Sequence, residues 1–181
     1  MGNVDPPLPR VELWCDGSGT ITGEPGGWAF ILLMERNGEW VEKVGSGADE
    51  SCTNNRMELT ALLEGLRALR RPFHVTVFTD SEYVAKPFTV GYIRKWQSRG
   101  YSKIKNPDLW KAIVRAAAMH RLEFRWVRGH SGVEMNERCD KVAGEERMKL
   151  IAALAEQRQR RHGADGADRG DSARSAGLAA P

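Results

Sequence analysis

Four carboxylates and one histidine carry the chemistry that this 181-residue sequence suggests. Asp16 ends an apolar run and opens the turn-forming Gly17-Ser18-Gly19. Asp80 closes a second apolar run. Glu58 lies near the start of an amphipathic stretch, and Asp140 in the first turns of another. A charged carboxyl at the end of a buried strand is costly unless paired, hydrated or bound to a cation. Four of them within a few ångströms would repel strongly unless a divalent ion neutralised them. Oxygen ligands favour Mg²⁺ or Mn²⁺ over zinc. Two such ions about 3.5–4 Å apart are a standard device for in-line displacement at phosphorus. His130, on the glycine-flanked loop Gly129-His130-Ser131-Gly132, is placed to shuttle a proton or help product leave.

Particular elements must deliver these groups. Residues 11–20, VELWCDGSGT, read as a strand with Val11, Leu13 and Cys15 on one face and Trp14 and Asp16 on the other. Both faces carry apolar groups, so the strand is central, and Asp-Gly-Ser-Gly is expected to break it. Residues 28–34 and 40–44 read as strands joined by an Asn37-Gly38 hairpin turn, giving an antiparallel meander. Residues 53–68 read as a helix capped by Thr53 or Asn54, with Leu59, Leu62, Leu63 and Leu66 as its buried stripe. Residues 73–78 form a further strand, and a helix starts at Ser81 that Pro87 should interrupt within two turns. Strand–helix–strand order implies a parallel pair with a right-handed crossover, and ligands collect at the carboxyl ends of such strands.

Asn106-Pro107-Asp108 opens another helix, with Leu109, Ile113, Ala116 and Ala117 inward. Residues 122–127 form the fifth strand, and Asn136 is expected to cap a last helix running to about residue 160. Trp14, Trp28, Trp40, Trp110 and Trp126 are assigned to the core. The fold class is α/β, a five-stranded mixed sheet flanked by helices. Residues 1–9 read as a flexible leader, 10–156 as one folded domain, and 157–181, poor in large apolar side chains, as a disordered tail.

Hydrophobic content of 41% and charged content of 28% fit a soluble globular chain. No apolar run reaches membrane-spanning length, and no secretory signal is visible, so the expected compartment is the cytoplasm. Three cysteines without a Cys-x-x-Cys pair argue against a disulfide framework or a thiolate zinc site. Net charge is only +3, but residues 92–105 hold five basic residues and no acidic one, the local footprint of a nucleic-acid binder.

CDGSGT, TNNRMEL, FTDSEYV and WVRGHSGVEMNERCD resemble the four signature stretches of the type 1 ribonuclease H family. They occur in that family's order and at closely similar separations, over roughly residues 10–150. The resemblance implies that Asp16, Glu58, Asp80 and Asp140 bind two Mg²⁺ ions, with Mn²⁺ a substitute, and that His130 is the mobile catalytic histidine. It implies endonucleolytic hydrolysis of the RNA strand of an RNA–DNA hybrid, leaving 3′-hydroxyl and 5′-phosphate ends. By the same resemblance Asn54, Asn55 and Glu82 read the ribose 2′-hydroxyl and Thr53 helps hold a phosphate of the DNA strand. Residues 92–105 form a hybrid-binding handle with Tyr92, Trp96 and Tyr101, and Asn136 is counted among the substrate contacts. The chain departs from the family's pattern in a shorter, less lysine-rich handle, in Glu82 where glutamine is frequent, and in Glu24 where asparagine is usual. A monomer with no obligate protein partner and no membrane association is expected.

Overall fold

A computed structural model describes residues 7–171. The elements in chain order are β1 (Arg10–Ser18), β2 (Gly26–Arg36), β3 (Glu39–Asp49), α1 (Asn54–Arg67), β4 (His74–Thr79), α2 (Glu82–Thr89), α3 (Tyr92–Ser98), α4 (Pro107–Ala117), β5 (Arg121–Trp126) and α5 (Glu134–Asp171). They form a five-stranded sheet in the order β3-β2-β1-β4-β5. β1, β2 and β3 pair antiparallel, while β1 with β4 and β4 with β5 pair parallel. This is the mixed sheet expected from the sequence. The β2–β3 hairpin turns through Asn37 and Gly38, both at positive φ (55° and 83°), the twist that suits a two-residue connection.

The sheet has two unequal faces. On one, Val11, Leu13 and Cys15 of β1 and Val75 and Val77 of β4 meet Leu59, Leu62, Leu63 and Leu66 of α1, with Trp110 and Ile113 of α4 behind them. Each fully buried leucine contributes about 1.5–3 kcal/mol of hydrophobic stabilisation. On the other face α5 covers Trp14 and Ile31 with Cys139. Among the described residues no helix is long and apolar enough to cross a membrane.

Five expectations need correction. Strand β1 does not break at Asp16: the antiparallel neighbour β2 keeps pairing through Ser18↔Gly27, although the parallel neighbour β4 stops at Trp14↔Phe78. Trp40 and Trp126 are 67% and 53% exposed, because each lies on an edge strand with cover on one side at most. Helix α2 continues past Pro87 to Thr89; the burial of Val84, Ala85 and Pro87 offsets one forgone backbone hydrogen bond. Helix α5 begins at Glu134, so Asn136 lies inside its first turn and is not its cap. The same helix runs on to Asp171, past the end at about residue 160 that the sequence suggests. Alanine, glutamine, glutamate and arginine, dense from 152 to 161, propagate a helix readily once its first half is packed. Ile151 and Leu154 are its last partly buried side chains among those described.

At the other end, the Pro9 carbonyl already accepts the His74 N–H at 2.9 Å, so the close of the leader joins the sheet. Residues 1–6 of the leader and 172–181 of the tail lie outside the described residues.

Candidate active site

The parallel register between β1 and β4 decides where the first two acids go. Pairing runs in step from Arg10↔His74 to Trp14↔Phe78, and two more positions along bring Asp16 level with Asp80. Alternation places both on the face of Trp14 and Phe78, whose rings stack at 4.0 Å. That is the face which α5 covers, and α5 carries Asp140. Glu58 arrives from the opposite layer. The start of α1 packs directly on Gly17, where a Cβ would lie 2.3 Å from the Glu58 backbone nitrogen. Only glycine permits this approach, and it lets the Glu58 carboxylate reach over the strand ends to Ser81.

Three of the four acids, Asp16, Glu58 and Asp80, are held by protein donors. The Gly17 N–H donates to Asp16 Oδ1 at 2.7 Å. Asn54 Nδ2 donates to Glu58 Oε1 at 2.8 Å, and the Ser81 hydroxyl donates to Glu58 Oε2. Asn136 Nδ2 donates to Asp80 Oδ2 at 3.1 Å, and Trp126 Nε1 to the Asp80 carbonyl at 2.7 Å. His130 Nδ1 stands 3.8 Å from Asp140 Oδ2; its side chain is 83% exposed and its backbone left-handed, with φ 50°.

Burial pushes the Asp16 carboxyl up to about 8, with the charges of Asp80, Asp140 and Glu58 adding to it against the opposing Gly17 hydrogen bond. Burial likewise raises Glu58 to about 7; Asp80 adds to the rise, and the hydrogen bonds from Ser81 and Asn54 oppose it. The acids therefore sense one another, and at neutral pH the cluster holds protons that a cation would displace. Among the described residues no three His, Cys, Asp or Glu side chains already stand as a ligand set. Oxygens on Asp16, Glu58 and Asp80 instead accept hydrogen bonds from protein donors. The chemistry of the donor set, all carboxylate and short of positive charge, fits a hard divalent ion.

The expected substrate residues fall into two groups. Thr53 caps α1, its side chain accepting the Arg56 N–H. Thr53, Asn54 and Asn55 line a cavity of about 380 Å³ together with Ile21, Lys105 and Asn106. Glu82 sits exposed in the first turn of α2 and forms an ion pair with Lys86. The structure does not bring Tyr92 and Trp96 to the carboxylates. They belong to α3, which is seated by an edge-on contact of 5.2 Å between Trp96 and Trp110 and leaves Arg94, Lys95 and Arg99 exposed. Tyr101 is half-buried beside Lys111. Glu24 faces Arg147 at 3.9 Å.

A family model described as RNase H matches residues 9–148 of this chain. The chain belongs to the ribonuclease H family. It is 41% identical to the Ribonuclease H of Helicobacter acinonychis (strain Sheeba) over 144 residues, 80% of this chain and 97% of that one. With the Ribonuclease H of Granulibacter bethesdensis (strain ATCC BAA-1260 / CGDNIH1) it shares 46% identity over 143 residues, 77% of this chain and 93% of that one. Its fold is similar to that of LC9-RNase H1, a type 1 RNase H with the type 2 active-site motif. The TM-score is 0.73 at 32% identity, over 80% of this chain and 75% of that one. The chain is thus a hydrolase of the ribonuclease H class.

In this ribonuclease H family member the structure adds groups that sequence reading missed. Ser81 and Trp126 hold the acidic cluster through a hydroxyl and an indole N–H. Lys105 and Asn106 join the cavity beside Thr53, because Arg56 ties α1 to Asn106 Oδ1 at 3.2 Å and to Asp108 at 2.8 Å. The signal available for Asn106 was its place between the basic segment and Pro107. All three cysteines are free and buried, and burial raises the thiols of Cys15 and Cys139, the latter to about 12, so they act as small apolar groups.

Proposed function

We propose that this chain is an endonuclease that hydrolyses the RNA strand of RNA–DNA hybrids by a two-metal-ion mechanism, leaving 3′-hydroxyl and 5′-phosphate ends. The observation that carries this reading is the meeting of Asp16, Asp80, Glu58 and Asp140 at one end of the sheet, with Asp16 and Glu58 both pushed toward neutral pH. Family membership supports the substrate class. Asp16, Glu58, Asp80 and Asp140 would hold two Mg²⁺ ions, or Mn²⁺ in their place, which when bound would acidify the attacking water and offset charge developing on the phosphate.

The protein's own groups do the rest. The carboxylates stand on β1, α1 and α5 and directly after β4, rigid elements that fix where the scissile phosphate must lie. His130, exposed on its loop beside Asp140, exchanges a proton with the departing 3′ oxygen or with solvent. Asn54 and Asn55 offer short polar side chains of the kind that read a 2′-hydroxyl across a shallow groove. Thr53, Lys105 and Asn106 make their cavity a receptor for a phosphate of the DNA strand. The exposed cations of α3 and the segment after it hold the duplex backbone, with Tyr92 and Trp96 as their aromatic support. Residues 10–156 form the catalytic unit. The buried free thiols suit a reducing compartment, and we place the enzyme in the cytoplasm as a monomer.

The test is cleavage of end-labelled hybrid, duplex DNA and duplex RNA, with Mg²⁺ and with a chelator. The RNA of the hybrid should be cut, only with the metal, and the products should accept polymerase extension at their 3′ ends. Hybrid that is bound but never cut, or duplex DNA cut equally well, would refute the assignment.

A further inference from the structure

Asn136 is 3% exposed in the first turn of α5, four residues before Asp140. Residues four apart share a helix face, so one face of α5 delivers an acid and a neutral amide to the same cluster. The amide Nδ2 donates to Asp80 Oδ2 at 3.1 Å, and no other described residue donates to that carboxylate. The surroundings of Asp80 are otherwise fixed. Trp126 holds its carbonyl at 2.7 Å, and Gly129 packs so closely that a Cβ there would come within 2.5 Å of Oδ2. One rotation of the Asp80 side chain remains to be set, and Asn136 sets it.

The residue type is informative. Lysine or arginine at 136 would neutralise Asp80 and compete with a cation. Aspartate would add a fifth repelling charge. An amide donates without carrying charge, so it orients the carboxylate and leaves its negative charge for a metal ion. At 3% exposure Asn136 also offers little surface to a duplex lying across the site. We infer that Asn136 is a positioning residue that holds the Asp80 carboxylate for divalent-ion binding, and not a substrate contact. This rests on the reading of the cluster as a metal-dependent hydrolytic centre.

The experiment uses the full chain and Mg²⁺ as the probe. Asn136→Leu and Asn136→Ala remove the donor, with and without filling its space, and Asn136→Gln keeps a donor on a longer arm. Calorimetric titration should show Mg²⁺ affinity falling about 10- to 100-fold in the Leu and Ala variants and partly recovering in the Gln variant. Their cleavage of hybrid should recover on raising Mg²⁺, with KM for hybrid unchanged. Folded variants with wild-type Mg²⁺ affinity and a raised KM for hybrid would make Asn136 a substrate contact and overturn the inference. Failure of both Leu and Ala variants to fold would make its role structural and overturn it too. A wild-type protein that neither binds Mg²⁺ nor cuts hybrid would remove the reading beneath it, a result separable from the others because it appears without any substitution.

Discussion

Gly17 and Glu58 touch so closely that the only hydrogen-bearing substituent Gly17 tolerates toward α1 is its own Hα: a Cβ would fall 2.3 Å from the Glu58 backbone nitrogen and 2.8 Å from the Met57 Cβ. The contact joins the strand that carries one acid to the helix that carries another. It sets their separation through backbone packing, independently of any side-chain rotamer.

Gly17→Ala should therefore push α1 off β1. Overpacking of this kind costs about 1–3 kcal/mol, to be read from urea unfolding. Cleavage of hybrid should fall further than stability, since a shift near 1 Å in a catalytic group costs on the order of 100-fold in rate. Unaltered kcat in a destabilised protein would show that Glu58 reaches the cluster by another route.

Asp16 makes the metal-free fold sensitive to pH. Folded, it keeps its proton up to about pH 8; unfolded, it releases it near 3.8. The native state thus binds more protons than the unfolded chain across that window, and stability falls as pH rises through it. Glu58, raised to about 7, acts in the same direction. Metal-free protein should melt at a higher temperature at pH 5 than at pH 8. Asp16→Asn should stabilise it at pH 8 by on the order of 1–2 kcal/mol while abolishing cleavage. Added Mg²⁺ should raise the wild-type Tm at pH 8 and leave that of Asp16→Asn much less changed. A Tm that rises with pH in chelator would contradict the acid cluster.

What the sequence revealed and what it hid follow from range. The hairpin at Asn37-Gly38, the leucine stripe of α1 and the Thr53 cap are encoded by neighbours within a turn or two, and all are present. The level placing of Asp16 and Asp80 follows from strand order once a parallel pair is inferred. Trp126 and Asn136 were misread because their roles depend on partners 46 and 56 residues away. A tryptophan reads as core wherever it stands, and an asparagine ahead of an amphipathic stretch reads as a cap. Lys105 joined Thr53 only through the Arg56 bridge across 50 residues. Helix α5 beyond 156 was hidden because lack of apolar groups argues against packing, not against helix.

The cavity beside Thr53 should report on charge. Lys105 lines it with Asn106 and carries its only positive charge among the lining residues. Lys105→Gln should weaken hybrid binding uniformly across sequences and reduce the slope of log K against log salt by about 0.7–0.9, the value of one phosphate contact. Glu82→Gln, by contrast, should leave the salt slope nearly unchanged, because Lys86 already pairs with Glu82. An equal change of slope in the two variants would place the phosphate contact elsewhere.

His130 separates chemistry from stability. Its side chain is 83% exposed, and the contact the structure gives it is Asp140 at 3.8 Å. Exposed pairs at such distances contribute about 0–1 kcal/mol, so His130→Ala should leave the unfolding free energy within about 0.5 kcal/mol of wild type. The φ of 50° adds one constraint: alanine tolerates it less well than asparagine, so His130→Asn is the better control for the loop backbone. Proton transfer by a positioned side chain is worth about 100- to 10,000-fold, and both variants should lose kcat on that scale with KM for hybrid little changed. Imidazole in the buffer should restore part of the loss in the alanine variant, where it has room to enter. A His130→Ala enzyme with wild-type kcat would leave proton transfer to water and reduce His130 to a loop residue beside the acids.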